Sequence, residues 1–377
     1  MGRHAIVVGG GIGGLSAAVG LRRAGWDVTV VERAAQFREI GAGFGLWPNA
    51  QRALAAIGLA DKVRTITVPQ RSGGIRTSDG RWLSRWRSDD LEEALGGPLL
   101  GIHRAQLHRI LLDALPAESL RSGVTVSGVA DRAVLDQHGG PIDLPPADLI
   151  VAADGIDSPI RRQLWPEHPG PVYSGVTAWR GVCASPPDLA PAGSWGRGEE
   201  CGTIPMVDGR SYWYAATSAP QGARNDDERE FLLRHFGHWH QPLPQMMAAT
   251  EEIIRHDIRH LGTPLPSYVR GRVALLGDAA HAMMPNLGQG ACQAIEDAAV
   301  LAHAARHDDV PRALAEYDRL RRPRSQRIAR SSYRIFRATT ASRSRVAVAL
   351  RDTAMRLTPR RSSLRGIAAV TDWSPPG

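Results

Sequence analysis

One lysine, Lys62, stands in 377 residues, so arginine fills the remaining basic positions of a chain with formal net charge +8. Cysteine is scarce as well. Cys183, Cys201 and Cys292 lack metal-ligand or redox-motif spacing, and their odd number suits no disulfide framework. No apolar run reaches the roughly 20 residues needed to span a bilayer. The stretch from Met1 to Leu21 superficially resembles a secretory signal, but five glycines between Gly9 and Gly14 would make a poor signal-peptide helix. These absences predict a soluble protein of a reducing cytoplasm, with no integral membrane contact. The hydrophobic share of 43% and charged share of 22% are those of an ordinary globular protein, so disorder is not the default. Between Arg319 and Arg365 fifteen arginines face one acid, Asp352. Such a basic segment could meet nucleic acid or an anionic membrane, but no aromatic platform or nucleic-acid motif accompanies it, so it reads as a solvated helical face with no nucleic-acid partner expected.

What the chain does have is concentrated in its first residues. Ala5-Ile6-Val7-Val8 reads as a buried parallel strand, and Gly9, Gly11 and Gly14 follow in G-x-G-x-x-G spacing. Leu15 to Ala24 has helical periodicity, and Val28-Thr29-Val30-Val31 is a second strand ending at Glu32. Each part has a physical task. Gly9 permits the tight turn, Gly11 lets backbone approach a pyrophosphate, and Gly14 lets helix and strand pack closely. The first helical amides, with the positive end of the helix dipole behind them, face the phosphates. Glu32 lies about 20 residues beyond, where a carboxylate can accept hydrogen bonds from a ribose.

Further along, Asn49 to Val63 is helical, Thr67 to Gly97 reads as short tryptophan-containing strands, and His103 to Leu115 returns to helix. Val124 to Val129 and Asp148 to Ala153 read as strands. From Pro169 to Pro264 the pattern is short β-runs broken by Pro and Gly, with one polar helix around Asp226 to His238. The expectation is an α/β nucleotide domain assembled from 1–70, 100–168 and 265–330, with a mostly β substrate domain from 71–99 and 169–264 inserted. A helical C-terminal segment, 331–377, completes it.

Two later motifs bear on which nucleotide is held. Asp154-Gly155 follows the apolar strand Leu149-Ile150-Val151. Gly277-Asp278 follows Arg272 to Leu276 and leads through Pro285-Asn286-Leu287-Gly288-Gln289-Gly290 into another helix at Ala291. An aspartate after a strand can bind a ribitol or ribose hydroxyl, and freed amides at Gly288 to Ala291 form a second anion-receptive helix start. One dinucleotide motif plus such a pocket suits FAD, which has two ends to hold.

These residues together resemble the single-component FAD-dependent aromatic hydroxylases, the family of p-hydroxybenzoate and salicylate hydroxylases. The resemblance rests on Gly9 to Gly14 with Glu32, Gly41-Ala42-Gly43 leading to Pro48-Asn49-Ala50, and His103-Arg104 before Leu107 and Leu111. Asp154-Gly155 with Arg161, Thr177-Ala178-Trp179-Arg180-Gly181, and Gly277-Asp278 with Pro285 to Gly290 complete it, to about Arg330. It implies a discontinuous Rossmann-like FAD-binding domain of the p-hydroxybenzoate hydroxylase kind. Gly9, Gly11, Gly13 and Gly14 would surround the pyrophosphate, Glu32 with neighbouring Arg33 would serve the adenosine ribose, and Arg104 the phosphate and ribityl region. Asp154 would lie near the nicotinamide approach path and Asp278 on the ribityl chain. Pro285, Gly288, Gly290 and Ala291 would sit at the isoalloxazine. The resemblance further implies that NAD(P)H binds transiently, reduces FAD and leaves. O2 would then give a flavin C4a-hydroperoxide that hydroxylates a phenolic, heteroaromatic or polycyclic small molecule. A flavin oxidoreductase or an epoxidase acting on a non-aromatic substrate is the alternative. A monomer or homodimer would suffice.

The substrate side carries less signal. Glu200-Cys201-Gly202-Thr203-Ile204-Pro205 reads as a strand, so Glu200, Gly202 and Ile204 share one face. Glu200 is the candidate catalytic base, and several of the resembling enzymes place a basic residue near its position. A glutamate would repel a benzoate-like carboxylate and accept from a phenol, an amine or an NH heterocycle. Trp47, Trp179, Trp213 and Tyr214 are candidate aromatic walls. No His or Cys stands in a setting that demands a flavin linkage, so denaturation is expected to release free FAD. Flavin retained on the unfolded chain, or FMN in the extract, would contradict this.

Overall fold

The computed structural model describes residues 2–38, 42–70 and 72–377; Gly41, one of the residues carrying the resemblance, lies outside them. His4–Val8 pairs in parallel with Asp27–Glu32 on one side and Leu149–Ala152 on the other, and Val273–Leu275 extends the parallel run. Val269–Arg270 and Leu120–Ser122 close the edges of this six-stranded sheet. The central strands are buried along nearly their whole length, which is why they read as unbroken apolar runs rather than alternating ones. Helix Ile12–Arg23 packs on helix Gly290–Ala304 through small residues. A Cβ at Gly13 would stand 2.8 Å from Leu276, and one at Gly20 would stand 2.7 Å from Ala302. Leu276, just after a strand, and Ala294 of the facing helix, 3.1 Å from the same Cβ position, together leave no room for a side chain at Gly13.

A second, seven-stranded sheet runs in the order Ile254–His260, Val172–Ala184, Arg210–Ser218, Glu199–Pro205, Ala192–Trp195, Ser72–Thr77 and Trp82–Arg87. Helices Glu228–Phe236 and Leu243–Ala248 cover one face, closing a core of Trp179, Cys201, Trp213, Phe236, Trp239, Met246 and Met247. The opposite face turns toward strand Gly43–Leu46, where a Cβ at Gly43 would stand 2.4 Å from that of Tyr212.

Four expectations shift. Val124 to Val129, read as one strand, is irregular over 124–127, and strands form at Leu120–Ser122 and Gly128–Ala130 instead. Ser88–Leu95 is a helix inside the stretch read as strands; Asp89 and Asp90 sit in its first turn and Gly96 ends it in the left-handed conformation. Leu243–Ala248 is a second helix in the region read as mostly β. Val310–Ala338 is one helix, so the division expected after residue 330 falls inside a continuous element.

The arginine-rich segment is also not wholly a solvated face. Arg321 is fully buried: its Nε donates to Asp297 at 2.6 Å, Nη1 pairs with Glu296, and Nη2 donates to the Gln293 side chain at 2.8 Å. Arg324 donates twice to Glu296, at 2.7 and 2.9 Å. Asn49 adds a third donor at 2.6 Å. The far oxygen of Asp297 accepts the Gly277 N–H at 3.0 Å and His281 Nε2 at 2.6 Å. Burial alone would raise the Asp297 carboxyl, but His281 and Arg321 with these hydrogen bonds outweigh it and bring it down to about 2. Its contribution to stability is thus present above the ordinary carboxylate range and is lost as pH falls toward 2. Arg321→Met strands two buried carboxylates and is expected to cost about 3–5 kcal/mol in urea unfolding. A loss below about 1 kcal/mol, the scale of a surface pair, would contradict the burial of this cluster.

Candidate functional site

Four strand ends converge on one edge of the parallel sheet: Gly9 after the first strand, Glu32 at the end of the second, Asp154 after Leu149–Ala152, and Asp278 after Val273–Leu275. The crevice outside the carboxyl ends of an open parallel sheet is where such folds bind ligands. Gly9 has φ +111°, and a Cβ there would stand 2.2 Å from the Ala153 carbonyl oxygen. A Cβ at Gly14 would stand 2.0 Å from the Gly9 carbonyl oxygen. No other residue type fits this turn. Gly11 is the N-cap of helix Ile12–Arg23 with no side-chain cap and no acid in the first turn, leaving its amides for an anion.

Two side chains hold this turn, Glu32, which the sequence singles out, and His108, which the sequence reading missed. Glu32 accepts the Gly10 N–H at 2.7 Å and the Ala34 N–H at 2.9 Å. His108, on helix Arg104–Leu112, is 2.7 Å from the Gly10 carbonyl through Nε2. Arg33, next to Glu32, is exposed. Arg161 is buried and donates to the carbonyls of Ile156 at 2.7 Å and Ala279 at 3.1 Å, tying the Asp154 turn to the Asp278 turn. One Asp154 oxygen accepts from Ser158 at 2.8 Å, while Oδ1 is buried without a protein partner. Asp278 is exposed at the edge of the crevice. His281 is buried in the ion cluster on Asp297 rather than facing the crevice.

The second anion-receptive start is built the same way. Pro285–Leu287 forms a 3-10 turn ended by Gly288 at φ +61°, and helix Gly290–Ala304 begins after Gln289 without a side-chain cap or a first-turn acid. Around Gly290 the space is open: a Cβ there would meet nothing within 4 Å, and Ala291 follows it in the first turn. Trp47 Nε1 would lie 3.3 Å from a Cβ at Gly288, which puts that tryptophan against this turn. Two uncapped helix starts, the open space at Gly290 and an orphaned carboxylate oxygen on one crevice fit a long dinucleotide such as FAD.

On the side of the seven-stranded sheet turned toward strand Gly43–Leu46, Glu200 pairs with Ala216, Gly202 with Tyr214 and Ile204 with Tyr212. Direct cross-strand partners share a face, so both tyrosines join Glu200, Gly202 and Ile204. Arg180, opposite Tyr214, extends this face. Gly202 makes room for the Tyr214 ring, which would stand 2.2 Å from a Cβ there. The Tyr212 and Tyr214 rings stack with centroids 6.2 Å apart. Ile204 packs at the far end, against Gly45 and Gly101. Trp179 and Trp213 do not join them. They project to the helix-covered face, where Trp179 Nε1 donates to Glu228 and Trp213 Nε1 to Thr250, each at 2.7 Å. The expectation that they line the pocket is corrected by the strand register.

Glu200 is 4% exposed, and two donors converge on its Oε2: Asn286 Nδ2 at 3.0 Å and Thr340 Oγ1 at 2.5 Å. None of the described hydrogen bonds uses Oε1. Burial raises the Glu200 carboxyl above its ordinary value against these hydrogen bonds and the Arg351 charge. Burial, with the Glu200 charge next, pushes the Tyr214 phenol up. Burial, then the charges of Arg180 and half-buried Arg104, holds His256 down. Asn286 belongs to the 285–287 turn, so it links the cofactor crevice directly to the sheet.

Among known proteins, the FAD binding domain family model matches residues 3–332. The chain is 38% identical over 341 residues to the aurachin C monooxygenase/isomerase of Stigmatella aurantiaca, covering 88% of each. It is 34% identical over 309 residues to the 2-heptyl-3-hydroxy-4(1H)-quinolone synthase of Pseudomonas aeruginosa, covering 79% of each. Its fold is similar to that of Klebsiella pneumoniae HpxO complexed with FAD and uric acid, at a TM-score of 0.89, 30% identity and coverage of 98% and 96%. Asp278→Ala removes a charged acceptor at the crevice edge and is expected to weaken FAD binding by about 1–3 kcal/mol in a fluorescence titration. Unchanged affinity would show that Asp278 lies outside the cofactor contacts.

Proposed function

The chain belongs to the FAD binding domain family and is an FAD-dependent monooxygenase, and from that premise we propose that it hydroxylates an electron-rich nitrogen heteroaromatic. Such a substrate would present a ring N–H or phenolic O–H to Glu200. Glu200 carries this reading: a buried carboxylate whose Oε2 is engaged by Asn286 and Thr340 while no described hydrogen bond engages Oε1. A carboxylate substituent would be repelled there, whereas an N–H or O–H donor would be oriented and, as its proton moves to Oε1, made more nucleophilic. The aurachin and quinolone relatives, and the uric acid of the similar structure, are in keeping with this class.

Bound FAD would supply the redox chemistry, accepting hydride from NAD(P)H and reacting with O2. The chain's own contribution is binding and exclusion. Gly9, Gly11 and Gly14 with the start of helix Ile12–Arg23 would hold the pyrophosphate, Glu32 the adenosine ribose and Asp278 the ribityl chain. The uncapped start of helix Gly290–Ala304 would favour negative charge at the pyrimidine end of the ring. Tyr212 and Tyr214 would stack on the substrate ring, Trp47 would close the cofactor side, and Thr340 with Asn286 would fix the Glu200 rotamer. The buried Glu200 wall with Tyr212 and Tyr214 would keep water from this space.

The test is substrate-stimulated NAD(P)H oxidation over a panel of phenols, quinolones and purines, with wild type and Glu200→Gln. The variant is expected to keep its FAD and its substrate-free oxidase rate while losing about 10²-fold in stimulated turnover, as a general base would. The raised Glu200 carboxyl takes up its proton above the usual carboxylate range. Wild-type turnover should therefore fall on acidification across that elevated range, and the glutamine variant should lack this limb. Stimulation by carboxylated phenols alone, or an unchanged variant, would contradict the reading.

A further inference from the structure

Helix Arg345–Leu357 carries an apolar stripe on the side turned away from the protein. Val346, Leu350 and Leu357 are 69%, 67% and 77% exposed, three of the six exposed large apolar side chains among the described residues. Their spacing of four and seven residues puts them in one row on the helix. The inward side packs on strand Trp82–Arg87 and holds Val348, Arg351, Asp352 and Met355. Asp352, the one acid of the helix, is tied down there by Arg351 at 2.7 Å. Exposed Arg345 and Arg356 border the stripe, and exposed Arg343 precedes it. No acid occurs between Asp318 and Asp352, while Arg327, Arg330, Arg334 and Arg337 are exposed along the preceding helix.

We propose that this helix docks the protein on the surface of an anionic phospholipid bilayer, Val346, Leu350 and Leu357 entering the acyl boundary and the bordering arginines meeting the phosphates. An amphipathic helix with aliphatic residues on one side and arginines at its margin lies in the interface plane. Anionic headgroups attract such basic margins within a Debye length. Charge favours this occupant over a second copy of the chain, because a two-fold contact through the stripe would bring the same arginines together without an acid between them. Three aliphatic side chains on one helix also fall far short of the roughly 800 Å² per partner of a stable interface. The location gives the docking a consequence. Arg351, on the inward side, lies over the Trp195 ring at 5.5 Å, and Trp195 pairs with Glu200 across the strands. The helix is thus a single layer between the bilayer surface and the Glu200 wall, independent of which substrate the pocket takes.

Co-sedimentation of the FAD-loaded full chain with phosphatidylcholine vesicles, with and without phosphatidylglycerol, tests this. Binding is expected to the phosphatidylglycerol vesicles and to be weakened by about 0.5 M NaCl, which screens beyond a few ångströms. Val346→Ser/Leu350→Ser/Leu357→Ser should lower the partition coefficient at least about tenfold, and Arg345→Gln/Arg356→Gln should remove most of the salt dependence. Both variants should keep wild-type FAD content and melting temperature. Absence of wild-type binding at low salt, equal binding by the triple-serine variant, or a wild-type dimer that this variant splits would overturn the proposal.

Discussion

The pairing of Arg321 and Arg324 with Glu296 and Asp297 is the constraint on which the site depends. Four charges removed from water are costly, and the cost is met only where every oxygen finds a donor. Here Glu296 is reached by both arginines, Asn49 and Gln293, and Asp297 by Arg321, His281 and the Gly277 N–H. The cluster therefore does more than join two helices. It fixes the start of helix Gly290–Ala304, holds the turn that carries Asp278, and through Asn49 anchors the segment that carries Trp47. Buried charge is weak evidence for net stability. It is stronger evidence that these three segments have one relative arrangement.

The parallel sheet was readable because each of its parts is local. A strand buried on both faces shows as an apolar run, a turn that only glycine can make shows as glycine, and a helix start open to anions shows as a missing cap. The face shared by Glu200, Gly202 and Ile204 was equally readable, since alternation within one strand needs no partner. Which tryptophans join that face was not. It depends on the register between strands, and the pairing of Gly181 with Trp213 and of Arg180 with Tyr214 sends the tryptophans to the helix-covered side.

The C-terminal segment shows the other limit. Its arginines look alike in the sequence, yet Arg321 and Arg324 are interior, Arg351 lies over Trp195, and Arg345 and Arg356 face outward. Nothing local separates these fates, because the acids that draw two of them inside lie on another helix. Thr340 is as unremarkable in sequence and still reaches Glu200, 140 positions away. His108 was missed for a similar reason: its partner is a backbone carbonyl at Gly10, which carries no side-chain signal.

On the proposed reading, backbone and helix ends would grip the dinucleotide, and the buried Glu200 carboxylate with the stacked Tyr212 and Tyr214 would meet the substrate. Its central claim is that the oxygen placed on the substrate comes from O2. Turnover of the best panel substrate under 18O2 tests this most directly. The account requires one 18O atom in the product for each NAD(P)H consumed in coupled turnover. Product oxygen drawn from water, or an oxidised product without added oxygen beside stoichiometric peroxide, would contradict it.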